Sequence, residues 1–416
     1  MSRRRQPGSP RRRPASSVRE PRRGAIDGTP GSLYRTLLSD PDAAGLVVSV
    51  ALDPDDVQET HAVVRFRGHR LDIGAHPTAR DAFVKDEPVG PIIPGSGPIS
   101  ITTRVYGIPS GRWTVTAELV RHAPQRRRSA RPSPRSRALR PAVWSWRRWR
   151  LEPTASDPIR TRGILRTFWG AQPAAINGSW PVLVLIGTAV ALILTATLLD
   201  RRDLAGGWLI VPAFAAILFG VVGAKVWYVL LDVRRWRARL GIGWCIQGAI
   251  AGAGTALTAI LLLLDRPVGV VLGATTPGLL LAMAIGRVGC FLTGCCCGRM
   301  TSSRWGIWST DRRIGARRIP TQLMEALLAG SFGTVLLWAA LTERAPLSLA
   351  YLLFGVAGYT AFRQVVLRRR AQTFPPARMI PVFAVSVGVV TVVLACWLVG
   401  PATATSFCHR LTGANV

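Results

Sequence analysis

Arg287 and Arg299, four cysteines (Cys290, Cys295, Cys296, Cys297) and four glycines (Gly286, Gly289, Gly294, Gly298) crowd one short stretch, Ile285–Thr301, IGRVGCFLTGCCCGRMT, at the edge of a long apolar segment. An arginine at membrane depth is costly unless it meets a partner or a cavity, and Arg363 lies inside a later apolar segment, YTAFRQVV. Guanidinium forks suit a phosphate group. The carboxylate near them in the chain's apolar half is Glu325, in IPTQLME. Two readings are open. An anionic lipid phosphate supplies the missing negative charge, or Arg363 pairs with Glu325 between helices while Arg287 snorkels to the interface. A cysteine beside Arg287 can form a thiolate and act as base or nucleophile. The cluster can also hold a soft metal, exchange disulfides, or simply pack as small apolar residues. Adjacent cysteines do not easily chelate one tetrahedral ion together, and Cys295 and Cys297 are separated by one residue instead of a metal-binding two, so no metal is expected. The glycines let backbone approach backbone or a ligand where a Cβ would clash.

The elements that must position these groups follow from composition. The chain of 416 residues carries a formal charge of +31, almost all from arginine, yet is 49% apolar. That combination excludes an ordinary soluble basic protein and joins a basic region to a lipid-embedded one. The charge then serves anionic lipid and orientation, and no nucleic-acid partner is expected. Residues 1–31, rich in Arg, Pro, Gly and Ser, have too little apolar surface to fold, and no apolar signal-peptide core follows them. Residues 32–122 hold short β-branched runs such as HAVVRFRGHRLDI and GRWTVTAELV, which predict a small all-β, immunoglobulin-like sandwich. His61, His69, His76 and His122 in this region are not at metal spacing. Residues 123–178 read as an Arg/Trp-rich linker whose Trp144, Trp146 and Trp149 suit a lipid headgroup layer.

Beyond residue 178 the chain predicts a mainly α, multi-pass domain, 179–400, followed by a tail, 401–416. About seven apolar stretches approach spanning length: Pro181–Leu199, Trp208–Leu231, Trp244–Leu264, Val268–Ile285, Met324–Leu341, Leu347–Val366 and Ile380–Val399. Few polar residues interrupt them, chiefly Lys225, Gln247, Gln322 and those named above. The remaining cysteines, Cys245, Cys396 and Cys408, do not add up to a secreted disulfide framework.

The stretch GRVGCFLTGCCCGR resembles the signature of the prolipoprotein diacylglyceryl transferase family, Gly-Arg-x-Gly-Asn-Phe-x-Asn-Gly-Glu-x-x-Gly-Arg. Gly286, Arg287, Gly289, Phe291, Gly294, Gly298 and Arg299 match in register. GAKVWYVLLD, GWCIQGAIAG, IPTQLMEALL and YTAFRQVV resemble further family segments in the same order, over roughly 179–399. The departures fall at functional positions. The signature Asn is Cys290, the signature Glu is Cys295, the family's histidine falls on Gln247, its Tyr-Gly on Trp180-Pro181, and an acidic residue on Leu367. The resemblance implies transfer of a diacylglyceryl group from phosphatidylglycerol to the lipobox cysteine of a prolipoprotein signal peptide, in the inner (cytoplasmic) membrane. It implies Arg287, Arg363, Cys295 and Cys290 at the chemistry, with Arg299, Gly289, Gly298, Gln247, Gln322 and Glu325 around the substrate. No cofactor is implied. A catalytically inactive relative that binds anionic lipid or lipoprotein, and a thiol-redox membrane protein, are the alternatives. The distribution of arginines in loops points to a cytoplasmic N-terminus, whereas the resemblance implies a site open to the exterior.

Overall fold

The computed structural model describes residues 44–57, 60–73, 78–120, 137–155, 158–204, 206–230, 244–342, 348–371 and 376–399, with positions 233, 236 and 240. Both expected tails, His76, His122, Cys408 and most of the loop 234–239 lie outside them.

The N-terminal half is built from antiparallel strands: β1 (Ala44–Leu52), β2 (Ala62–Arg70), β3 (Ala82–Val89), β4 (Ile99–Ile108), β5 (Arg112–Val120), β6 (Arg137–Ser145), β7 (Arg150–Pro153) and the short β8 (Ile159–Arg160) and β9 (Arg162–Gly163). The period of two decides which residues enter the core. In β2, Ala62, Val64 and Phe66 are buried while Arg67 and His69 are exposed. Trp113 of β5 is fully buried, and each such side chain contributes about 1.5–3 kcal/mol.

Two expectations change here. The strands do not form two separate sheets but one hydrogen-bonded path, β10-β11-β4-β1-β6-β5-β2-β3, with β7 on β6, β8 on β5 and β9 on β1. Its first two members, β10 (Ile307–Thr310) and β11 (Ile314–Arg318), come from the helical half. The stretch read as a linker also carries strands. Ala142 and Trp144 of β6 point inward and Val143 outward, an alternation that the surrounding arginines obscure in the sequence.

A short helix α1 (Ile164–Phe168) leads into α2 (Ser179–Asp200), α3 (Ile210–Leu230), α4 (Ile246–Leu263), α5 (Val268–Thr293), α6 (Thr321–Leu341), α7 (Leu349–Leu367) and α8 (Pro376–Val399). Among the described residues five helices are long and apolar enough to cross a membrane: Ser179–Asp200, Gly207–Leu230, Val268–Thr293, Thr321–Leu341 and Leu349–Leu367. Of the roughly seven stretches expected, these five reach spanning length, and the other two form shorter apolar helices, Gly248–Leu263 and Ile380–Leu394. Leu185, Ile193, Phe214 and Leu327 project from these helices, more exposed than an aqueous surface would tolerate in such density, and lipid is the solvent that fits them. Hydroxyls of Thr188, Thr195, Thr275 and Thr276 return to carbonyls one turn back, which satisfies them without water.

α5 is central. It packs against α2, α6 and α7, while α3 pairs with α4 and α8 with α7. The ends that carry the chemistry meet on one face: the start of α2, the end of α5, the start of α6 and the end of α7. The sheet lies on that same face. Ile314 and Gly315 of β11 pair with Ile101 and Ser100 of β4, and Met300, Ile314 and Ala316 join the core of the β-domain.

Candidate functional site

α5 stops where it does because Gly294 adopts the left-handed conformation, φ +76°. The amides of Gly294 and Cys295 both donate back to the carbonyl of Cys290, at 3.1 and 3.0 Å. This helix-ending turn folds Cys295 over Cys290. Cys296 is also left-handed, φ +57°, so its side chain turns to the same side instead of diverging from Cys295. The Sγ atoms of Cys290, Cys295 and Cys296 consequently lie within 4.8 Å of one another. Although neighbours in the chain, Cys295 and Cys296 thus bring their sulfurs to one place. Cys297 leaves the cluster and donates its thiol to the carbonyl of Thr310, at 3.2 Å.

The loop is fixed from both sides. Gln322 Nε2 donates to the carbonyl of Cys295 at 2.8 Å, and Thr321 Oγ1 to that of Cys296 at 3.2 Å. The Arg299 amide donates to Arg369 O at 2.9 Å, Ala371 to Cys297 O at 3.0 Å and Ile319 to Arg299 O at 3.0 Å. Gly298 faces the carbonyl of Ile319, where a Cβ has no room, and Gly289 faces Trp180 Cα, which would lie 3.1 Å from an added Cβ. Both glycines are accounted for by chain packing.

Beside this loop Glu325, one turn into α6, is fully buried between arginines from three segments. Arg287 Nε of α5 lies 2.9 Å from its Oε2, and Arg370 Nη2, just past α7, lies 2.5 Å from its Oε1. Arg363 Nε of α7 stands 4.0 Å from Oε2, and Tyr359, one turn before it, donates its hydroxyl to Oε2 at 3.4 Å. Arg287 Nη2 in turn reaches Tyr359 Oη at 3.5 Å. The carboxylate cancels one of three guanidinium charges. Arg363 Nε, Arg370 Nε and Gln322 Oε1 are buried with no hydrogen-bond partner among the described residues. Among the described residues the node is thus electrostatically unfinished, with net positive charge and spare donors.

Outside the spans the thiols differ. Hydrogen bonds from Cys290 and Cys295, then the fields of Arg370 and Arg287, hold Cys296 well below the usual thiol range. Hydrogen bonding to Cys290 and Cys296 pushes Cys295 up, opposite to the direction expected for a base at that position. Burial pushes the Cys297 thiol up to about 11.

Of the sequence-derived candidates, Arg287, Arg363, Glu325, Cys290 and Cys295 come together, with Gln322 adjoining through the Cys295 carbonyl. Arg299 is exposed and its Nε donates to Arg370 O at 3.2 Å, so it braces the loop against α7. Gln247 lies in the first turn of α4, a helix that packs mainly on α3, and its side chain is outside the described residues. Arg370 and Tyr359 were not among the candidates, and Cys296 was weighed only as a member of the cysteine cluster. Arg370 hid in the basic run LRRRAQ, although its seven-residue spacing from Arg363 places both on one side of the helical path.

A family model described as prolipoprotein diacylglyceryl transferase matches residues 173–399. The phosphatidylglycerol–prolipoprotein diacylglyceryl transferase of Clostridium tetani is 28% identical over 163 residues, 36% of this chain and 66% of that protein. The protein of Clostridium perfringens named phosphatidylglycerol–prolipoprotein diacylglyceryl transferase 2 is 30% identical over 135 residues, 29% of this chain and 52% of that one. A Rhodococcus jostii transferase of the same name is 26% identical over 185 residues, 40% of this chain and 49% of its own length. The chain thus spans between about half and two thirds of these relatives. The matched region begins after the sheet domain's last N-terminal strand and contains the whole arginine–glutamate node.

Proposed function

The chain belongs to the prolipoprotein diacylglyceryl transferase family, and from that premise we propose that it transfers the diacylglyceryl group of phosphatidylglycerol to the lipobox thiol of a prolipoprotein signal peptide. On this reading it works as a multi-pass protein of the cytoplasmic membrane. The observation that carries it is the excess positive charge around Glu325: Arg287, Arg363 and Arg370 share one carboxylate, and Arg363 keeps a donor without a partner among the described residues. A phosphodiester at this node completes both the charge and the hydrogen bonding. When the thiol sulfur attacks the glyceryl carbon, the bond from that carbon to the phosphate oxygen breaks and glycerol phosphate leaves with the electron pair. Buried guanidinium groups stabilise charge gathering on that phosphate more strongly than water does.

Glu325 is a poor general base here, because both of its oxygens are already engaged by arginines. The thiol's proton must go elsewhere. The Trp-rich hairpin β6–β7 supports a membrane-surface setting for the reaction: Trp149 stacks near Phe291 at the end of α5, and exposed Trp146 sits among arginines.

Purified protein in phosphatidylglycerol vesicles, given a fluorescent lipobox peptide, should yield a peptide heavier by one diacylglyceryl group together with glycerol phosphate. Arg363→Ala should lower the rate on the order of 100-fold. Wild-type turnover in that variant would remove the phosphate clamp. Phosphatidylglycerol bound without any product would favour a lipid-binding, inactive relative.

A further inference from the structure

The three clustered sulfurs have no role in a phosphate clamp. From their placement we propose that Cys290, Cys295 and Cys296 form a three-thiolate site for a thiophilic divalent ion of the zinc type, open to a fourth ligand, and that the fourth ligand is the substrate thiol. The second half of this inference rests on the transferase reading above.

Three observations converge on it. The sulfurs already lie within 4.8 Å of one another, so small side-chain rotations bring them to a common ion. Zinc takes sulfur ligands at about 2.3 Å, and three protein ligands with one open position is its catalytic pattern. The backbone that carries them is fixed in advance: Cys295 is tied to Cys290 O and to Gln322, Cys296 to Thr321, and left-handed Cys296 aims its side chain back at the pair. Cys290 is buried and Cys295 half-buried, whereas Cys296 is exposed, so the cluster is reachable from one side.

Such a site supplies the thiol activation that Glu325, held by arginines, does not. A thiol bound to a divalent metal is deprotonated outright. The incoming S–H gives its proton to water, its sulfur bonds to the glyceryl carbon, and the carbon–oxygen bond to phosphate breaks toward the arginines. No oxidant or reductant enters the balance, and the thioether product, a weaker ligand than a thiolate, is free to leave.

The test uses the full chain in detergent, loaded with Zn²⁺, desalted, and assayed for bound metal by emission spectrometry. Co²⁺ loading gives an optical readout of thiolate ligation. Wild type and Cys297→Ser should hold equimolar zinc. Cys290→Ser and Cys296→Ser should lose it, together with the sulfur-to-cobalt absorption. Because Cys296 is exposed, its serine variant should elute and unfold like wild type, so loss of metal there cannot be laid to misfolding. No zinc in wild type, equal zinc in all variants, or a Cys290–Cys295 disulfide in protein kept from air would overturn the site. In the peptide assay, chelation should abolish transfer and Zn²⁺ should restore it. Full transfer by metal-free protein would overturn the role of the ion while leaving the transferase reading intact. Zinc retained with no transfer in either form would support the site and sink the activity and the fourth-ligand role together.

Discussion

Glu325 shows how one residue can decide the character of a site. It is completely buried, and three arginines that are themselves nearly buried converge on it. Isolated, each of these charges would be strongly unfavourable at this depth, and the carboxylate lowers that cost by pairing with them. Glu325→Gln keeps the shape and removes the charge. The expected outcome is a loss of about 3–5 kcal/mol, read as a lowered unfolding midpoint in detergent. Added phosphatidylglycerol should recover more of that midpoint in the variant than it adds to wild type, because a phosphodiester restores the missing anion. Equal stability of the two proteins would mean that the arginines do not depend on this carboxylate. Of the two readings the sequence left open, the helix–helix one changes partner: Arg287, expected to snorkel to the interface, makes the 2.9 Å ion pair with Glu325, and Arg363 stands at 4.0 Å. The sequence could name Arg287, Arg363 and Glu325 because charges are so rare among apolar residues. It could not single out Arg370, which stands in a run of like residues where composition carries no contrast.

At the scale of elements, the loop after α5 is a clamp closed by backbone. Its hydrogen bonds reach Arg369, Ala371 and Ile319, and Gly298 is the point of closest approach, with the Ile319 carbonyl where a Cβ would go. A carbonyl in a fixed chain cannot swing aside as a flexible side chain does. Gly298→Ala should therefore sharply reduce the yield of folded protein. Gly254→Ala, in α4, has nothing within 4 Å of the added atom and should be neutral or stabilise by up to about 1 kcal/mol, because alanine is the better helix former. Comparing the two by size-exclusion and thermal unfolding separates a packing glycine from a merely permissive one; indistinguishable variants would refute the clamp. The helices were legible from apolar run length, and the β-strands of the first half from period two. The strands of residues 137–163 were not, since alternating arginines and tryptophans mimic a surface linker. Nor was the convergence of Cys295 and Cys296, which depends on a left-handed residue that no pattern of side chains announces.

At the scale of the whole molecule, the β-domain is not a module tethered to a membrane body. The hairpin β10–β11, which leaves the membrane half directly after the cysteine loop, supplies the end of its sheet and part of its core. Arg313 adds a 2.9 Å ion pair to Glu87, and Trp308 donates to Pro98 O at 3.0 Å. Separating the halves would strip a strand partner from β4 and uncover Ile314 and Ala316, so the domain and the site must share one side of the membrane whichever side that is. The arginine count and the family resemblance pull in opposite directions about that side, but both act on the two halves together. Single cysteines added at Val84 of β3 and at Trp305 before β10, positions 62% and 76% exposed, should take an impermeant maleimide from the same side of sealed vesicles. Asp265→Cys, in the turn between α4 and α5 at the other end of α5, should react from the opposite side. Inverting the vesicles should exchange the two patterns as sets. Val84→Cys and Trp305→Cys reacting from opposite sides would break the shared sheet, and with it the placement of the β-domain over the site.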